Sequence, residues 1–283
     1  LVLFWHNHFV VGFDGAYERS RSYGKHLINL RKHAKGNLRE FLKEILSDPA
    51  MISYLNNDEN FIGNVNENLG RELLELFTIG EGNYTENDVK NLSKLLTGHS
   101  VNPVSLEYEF VGGAATSKSW IVLGEEIRTI DEIVDLLLNH PKLSDLIGRK
   151  IFKEYVSLEQ PSQKSLDYIK SEFYYNNFEI SYLLKAVLET TEFWKANNRL
   201  GLVKSPVDII FGTVRTLEST GNAGLNDSKL LYSISELGQD LIDPPNVSGW
   251  PGGLKWLDGN AIEKRNEILA KTYSESFFDV KQE

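Results

Sequence analysis

Apolar residues recur at helical spacing along most of the chain. Leu27, Leu30 and Ala34 share one face of a predicted helix that ends at Gly36. Other apolar stripes follow polar pairs with the spacing of a capping box, in which two side chains satisfy the free amides of a helix start. These pairs are Asn37/Glu40, Asn64/Glu67 and Thr85/Asp88. The pattern predicts an all-α, bundle-like fold.

The periodicity changes between residues 101 and 123. Apolar and polar residues alternate at Val104, Leu106, Tyr108 and Phe110, and Trp120–Leu123 is a short run of residues that favour strands. We therefore expect a minor β-hairpin in this region. Because no linker rich in proline, glycine or serine divides the chain, residues 1–283 are predicted to form one large helical domain.

The composition is that of a globular protein with a sizeable core. Of the 283 residues, 41% are hydrophobic and 25% are charged. No uncharged apolar run approaches the ~18 residues that a transmembrane helix needs, so no membrane span is expected. The chain has no cysteine, which excludes disulfides, thiol catalysis and thiolate metal sites.

The formal net charge of −10 argues against a nucleic-acid partner, because DNA-binding domains usually carry a basic face. The charge is uneven, however. Residues 17–43 contain eight basic side chains and only two acidic ones, Glu18 and Glu40. This stretch is predicted to be a helix face that docks on an acidic body, and an anion-binding patch is the alternative.

Two histidines lie in the otherwise apolar segment Trp5–Phe9. Residues two apart on a helix point ~200° away from each other, so His6 and His8 could bind one metal ion only from a strand or an irregular segment. On a helix, His8 would share a face with Phe4 and Trp5. Both histidines are then interpreted as core residues with satisfied hydrogen bonds.

The segment Asn66–Phe77 predicts a helix with a broad apolar face. Asn66 falls at the centre of that face, while Glu67 and Glu72 flank it. Carboxylates at the border of a buried face can be ligands, acid–base groups or surface residues. Glu67 also has two structural roles open to it: capping Asn64, or pairing with Arg71 at i,i+4.

These features predict one site, because buried carboxylates need a cation or several hydrogen-bond donors. We expect His8 to lie near the helix that carries Asn66, Glu67 and Glu72, with Arg71 as the counter-charge. The catalytic candidates are His8, Glu67, Arg71 and Glu72, and the metal-ligand candidates are His6, His8 and Glu72. The corresponding ion would be divalent, zinc or iron. Without a metal, the same residues would form a structural polar network.

The loop Asp243–Trp256 is rich in proline and glycine, which fix a single loop shape. Its tryptophans, Trp250 and Trp256, could stack on a sugar ring or could seal the helical core. The packing interpretation is favoured. Together with Asn66, the two tryptophans are the candidate binding residues.

The chain resembles one bacterial family, the domain of unknown function 1800 family. The matching segments are Phe4–Phe9, Asp48–Met51, Asn66–Asn68, Arg71–Thr78, Gly82–Thr85, Leu96–Gly98, Lys204–Pro206, Leu237–Gln239 and Pro244–Gly253. They occur in the family's order. Family members usually carry further helices before the Trp-His-Asn-His segment, so the chain is expected to be an N-terminally shortened version.

The resemblance implies a largely helical bacterial protein that is exported to the periplasm or the outside of the cell. It also implies a secreted, sulfatase-like partner encoded nearby. The sequence departs from the family pattern at His99, where a tryptophan is usual, and in the segment 110–119, which lacks the usual His-Asp pair. Two functions therefore stay open: a His/carboxylate enzyme, with or without a metal, and a non-catalytic protein that binds a glycan or a partner.

Overall fold

The fold is mainly helical, as the sequence predicts. A computed structural model describes residues 1–12, 17–113, 118–218, 227–241, 243–257 and 259–272. The chain divides into two compact units, Leu1–Arg199 and Leu200–Glu283. The single domain expected over residues 1–283 stays a prediction, because compact packing does not show whether a unit folds alone.

Most helices belong to the first unit. They are α1 (Val2–His8), α2 (Tyr17–His33), α3 (Leu38–Leu46), α4 (Pro49–Tyr54), α5 (Asn68–Glu72), α6 (Glu86–Leu95), α7 (Ile130–Asn139), α8 (Pro141–Tyr155), α9 (Gln163–Tyr175) and α10 (Ile180–Glu189). The second unit contains α11 (Pro206–Glu218), α12 (Asp227–Glu236) and α13 (Ala261–Thr272). Short 3₁₀ segments span Asn57–Glu59, Ala196–Asn198 and Gly253–Leu257. Among the described residues, no helix combines the length and the apolar character that crossing a bilayer requires.

The predicted helix starts are confirmed for α6 and partly for α3. Thr85 and Asp88 form a reciprocal capping box at the start of α6. Asn37 caps α3, but its side chain accepts a hydrogen bond from the amide of Arg39 rather than that of Glu40. Each of these caps satisfies an amide that the first helical turn leaves without a partner.

The capping box predicted at Asn64/Glu67 is wrong. Asn64 instead closes a tight turn with Phe61, in which each backbone amide donates to the other's carbonyl. As a result α5 begins only at Asn68, and Glu67 precedes it without a side-chain cap. Asn66 therefore lies before the helix and not on its apolar face, and its side chain accepts a hydrogen bond from the amide of Asn68.

The β region contains two small antiparallel hairpins. In the first, β1 (His99–Val101) pairs with β2 (Tyr108–Phe110), and His99 lies opposite Phe110. In the second, β3 (Trp120–Val122) pairs with β4 (Glu125–Ile127). The two strand-like runs of the sequence thus belong to separate hairpins and do not pair with each other. Residues 114–117 of the predicted hairpin lie outside the described residues.

The basic stretch of α2 and α3 contacts acidic residues of the first unit, as expected for a docked helix face. Arg21 and Lys25 pair with Glu107. Further along, Arg39 pairs with Asp135 and Lys43 with Asp131. Four of the eight basic residues are therefore paired with three carboxylates, which at these positions favours the docked helix face over an anion-binding patch.

Helices α5 and α6 approach each other closely at Gly70. A Cβ atom there would lie 2.4 Å from Oγ of Ser93 and 3.3 Å from its backbone nitrogen. We expect Gly70→Ala to lower the free energy of unfolding by about 1–3 kcal/mol through overpacking, despite alanine's better helix propensity. Denaturant unfolding measures this change.

A second variant tests the cause of that loss. Ser93→Ala removes the hydroxyl that meets the added methyl group, so the double variant should recover part of the lost stability. A Gly70→Ala protein as stable as the original would show that the two helices can separate at this point without cost.

Candidate functional site

The N-terminal helix α1 inserts its aromatic residues into the core of the first unit. Trp5 and Phe9 are fully buried and pack against Phe41, with ring centroids 5.2 and 5.0 Å away. The indole nitrogen of Trp5 donates to the carbonyl of Ala34 at 3.0 Å. Because this packing fixes α1, the histidines on α1 have defined surroundings.

His8 lies against the segment that continues α5, as the sequence predicts. Its Nε2 is 3.1 Å from the carbonyl oxygen of Phe77, and its Nδ1 is 3.0 Å from Nζ of Lys150. A carbonyl can only accept, so Nε2 carries the proton and Nδ1 accepts from Lys150. Burial, and then the charge of Lys150, hold the pKa of His8 well below its usual value.

Lys150 is the partner of His8 that the sequence reasoning missed. Its Nζ also donates to the carbonyl of Leu76 at 3.0 Å. Burial, together with the charge of Lys153, lowers the pKa of Lys150 to about 8. The sequence contains a signal for this buried lysine. Lys150 follows Leu143 by seven residues and Ile147 by three, so it lies on the apolar face of α8.

A π-helical turn supplies the two carbonyls. The helix changes from α to π at Leu73–Thr78. At its end, the amides of Ile79 and Gly80 both donate to the carbonyl of Leu74. Gly80 therefore does not bond to Leu76, as it would in an α-helix, and the carbonyls of Leu76 and Phe77 accept from Lys150 and His8 instead.

The other histidine of α1 has different surroundings. Nε2 of His6 is 2.8 Å from the hydroxyl of Tyr23. Burial, and then the proximity of His26, lower the pKa of His6 to about 4. His6 and His8 both lie on helix α1, not on a strand or an irregular segment. Their side chains therefore point in nearly opposite directions and cannot bind one metal ion together.

His26 and Asp48 lie side by side in the core of the first unit. Nδ1 of His26 lies 3.3 Å from Oδ2 of Asp48, and both side chains are inaccessible to solvent. Oδ2 also accepts from Asn29 at 3.1 Å, while Oδ1 caps α4 by accepting from the amides of Ala50 and Met51. Asp48 therefore connects α2 to the start of α4.

Of the predicted carboxylates, Glu67 pairs with Arg71, whose other partner is Glu86. Both Nη atoms of Arg71 donate to Glu86, at 2.8 and 2.7 Å, and Nη2 is 3.2 Å from Glu67. The i,i+4 pair of Glu67 and Arg71 is therefore confirmed. Burial and the neighbouring Glu75 raise the pKa of Glu72, and Arg71 opposes this rise.

The candidate ligands are not arranged as a metal centre. Within the described residues, no group of three or more His, Cys, Asp or Glu side chains could hold a metal ion, and this covers His6, His8 and Glu72. What the structure brings together is His8, Lys150 and two backbone carbonyls. The catalytic roles of His8, Glu67, Arg71 and Glu72 stay predictions.

Both tryptophans of the proline- and glycine-rich loop are buried. Trp250 is 4% exposed and Trp256 is 8% exposed, so the packing interpretation is confirmed. Asn246 shapes the loop by accepting a hydrogen bond from the amide of Ser248. Buried indoles offer no free face to a sugar, and the binding role of Trp250 and Trp256 is not favoured by this position.

A different set of side chains, most of them aromatic, is exposed on α9, on α10 and just after α10. This set, here called the outer face of α9 and α10, comprises Tyr168, Tyr174, Tyr175, Tyr182, Leu188 and Trp194. Tyr175 is 81% exposed and Trp194 is 76% exposed. Several exposed aromatic residues on two helices that pack together make this part of the surface a candidate for interaction.

Two of the exposed rings are held in place by hydrogen bonds. The hydroxyl of Tyr168 donates to Glu189 at 2.7 Å, and the indole nitrogen of Trp194 donates to the carbonyl of Leu188 at 3.1 Å. A ring that is already fixed loses little conformational entropy when it binds a partner. Tyr168 and Trp194 are therefore preorganised for binding.

Comparison with known proteins identifies a family but no individual related protein. Neither a curated protein nor a solved structure matches the chain. A family model described as "Protein of unknown function (DUF1800)" matches residues 1–280 of the 283. The order of the segments from Phe4 to Gly253 had indicated the same family. The chain belongs to the DUF1800 family.

Proposed function

We propose that this protein is a non-catalytic binding protein that docks on a secreted, sulfatase-like partner through the outer face of α9 and α10. The observation that carries the proposal is the set of exposed aromatic residues on that face, two of which, Tyr168 and Trp194, are held by hydrogen bonds. Tyrosine and tryptophan are enriched at the centres of protein interfaces and contribute most of the binding energy there. The proposal places the protein in the periplasm or outside the cell, with its partner.

The arrangement of the rings favours a protein partner over a glycan. The rings of Tyr174 and Tyr175 are inclined by 77°, and those of Phe193 and Trp194 by 85°. Rings that meet edge to face give an uneven surface with pockets between them. Side chains of a protein fill such pockets well, whereas a sugar chain stacks on flat ring faces.

The alternative function is a His/carboxylate enzyme with zinc or iron. It has less support, because both ring nitrogens of His8 already have partners, Phe77 and Lys150. An ion could bind His8 only if one of these hydrogen bonds were broken. Metal analysis of the native protein tests this alternative, since His8→Ala and Glu72→Gln should both lose the metal if it exists.

Calorimetry with the purified chain and the purified sulfatase-like protein tests the binding function. We expect Tyr175→Ser combined with Trp194→Ser to weaken the affinity at least about 100-fold, since Tyr175 and Trp194 are the two most exposed aromatic residues of the outer face. Tyr232→Ser is the matched control, because Tyr232 is also largely exposed but lies on α12. The control should bind as tightly as the original protein.

The same variants separate the competing outcomes. If the original chain does not bind the sulfatase-like protein, the proposal is wrong. If it binds a glycan instead, and the double variant loses that binding, the outer face recognises a sugar. Equal losses in the double variant and in Tyr232→Ser would show that no single face is responsible.

A further inference from the structure

Arg265 is a buried cation for which the described residues supply no anion. It lies on α13, three residues before the core residue Ile268, and so points to the apolar side of that helix. Its side chain is only 7% exposed. Nη1 donates to the carbonyl of Lys204 at 3.0 Å, whereas Nη2 is buried and has no hydrogen-bond partner among the residues that the structure describes.

Two described acidic groups of the second unit are engaged elsewhere. Asp208 accepts from the amide and the hydroxyl of Ser205 at the start of α11. Glu236 on α12 pairs with Lys264. Burial alone lowers the pKa of Arg265, which is what an uncompensated charge in a poorly solvated position produces. Such a charge is strongly destabilising unless something neutralises it.

We propose that Arg265 is the anchor of an oxyanion-binding site in the second unit, which takes a carboxylate, phosphate or sulfate group. The planar guanidinium presents paired N–H groups that match the oxygens of these anions. The backbone carbonyl of Lys204 accepts from Nη1 and fixes the orientation, and this leaves Nη2 to donate to the anion. Nη2 is covered, so a neighbouring side chain must move when the anion enters.

The site is independent of the outer face of α9 and α10. Its residues come from segments around Lys204 and Arg265, which belong to the second unit, whereas the outer face belongs to the first. Variants of the outer face should therefore leave anion binding unchanged, and variants of Arg265 should leave the aromatic surface intact. Failure of one proposal does not affect the other.

Thermal unfolding of the full chain tests the anion site. Sodium phosphate, sodium sulfate and sodium acetate are each titrated at an ionic strength held constant with sodium chloride. We expect a saturable rise of about 3 °C in Tm with at least one oxyanion. Comparing acetate with phosphate and sulfate distinguishes a carboxylate ligand from a phosphoryl or sulfate ligand.

Arg265→Met is the decisive variant. It keeps the length of the side chain and removes the charge, so the response to the oxyanion should disappear. Its Tm in sodium chloride should equal or exceed that of the original protein, because an uncompensated charge has been removed. Arg149→Met is the matched control, since Arg149 is paired with Asp145 and should not contribute to the response.

A rise in Tm of equal size in the original protein and in Arg265→Met would overturn the proposal, as would the absence of any rise in the original protein. Should the Met variant fail to fold, side-chain NMR of the original protein decides. The guanidinium resonances of Arg265 must then shift saturably with phosphate or acetate, and unchanged resonances reject the site.

Discussion

The free energy of unfolding falls by several kcal/mol as the pH is lowered from 6.5 to about 4. His6 and His99 each have a pKa lowered by burial from 6.5 to about 4, and burial also holds the pKa of His8 well below 6.5. In this range the unfolded chain binds protons that the folded chain does not, so stability decreases with decreasing pH. The expected loss is about 3 kcal/mol for each of His6 and His99.

Urea unfolding at a series of pH values measures this loss, and His99→Gln provides the control. Without the imidazole, the slope of stability against pH between 4 and 6.5 should decrease by the equivalent of one proton. Glu192 titrates in a different window, because its hydrogen bonds from Ser165 and Ser162 lower its pKa to about 2 despite burial. A flat profile between pH 6.5 and 4.5 would show that the histidines are not buried in neutral form.

Trp250→Ala lowers the free energy of unfolding of the second unit by about 3–5 kcal/mol. The side chain is 4% exposed, so its removal leaves a large cavity as well as losing the transfer free energy of the indole. Trp194→Ala is the matched control, since Trp194 is 76% exposed and should cost little. Denaturant unfolding of both variants measures the difference.

The result also discriminates between the two interpretations of the loop. A sugar-stacking Trp250 would be dispensable for stability, and its variant would lose glycan binding at an unchanged Tm. A large loss of stability without any binding defect agrees with a tryptophan that seals the core.

The helices were predictable because they depend on local signals. Thr85 and Asp88 are three residues apart and satisfy each other's amides, whatever the rest of the chain does. The pair Asn64/Glu67 has the same spacing but does not begin a helix. Asn64 instead closes a turn with Phe61. Sequence spacing alone does not show whether the turn or the capping box is the more stable structure.

The site was only partly predictable, because its partners are distant in sequence. The polar side chain of His8 in an apolar segment indicated a buried histidine near the helix of Glu72. Its partner Lys150 is 142 residues away, and a backbone carbonyl, which carries no sequence signal, is the other partner. The π turn that contains Phe77 cannot be predicted from the pattern of apolar residues, because π and α turns bury similar residues.

The π turn at Leu73–Thr78 also constrains the insertions and deletions that this helix can tolerate during evolution. A π turn holds one residue more than an α turn, so deleting one residue would restore an α-helix. The residues after the deletion would then be rotated by about 100° about the helix axis relative to those before it. The carbonyls of Leu76 and Phe77 would no longer face Lys150 and His8, which would lose their acceptors. In an alignment of the family, a one-residue gap here should therefore coincide with replacement of both side chains.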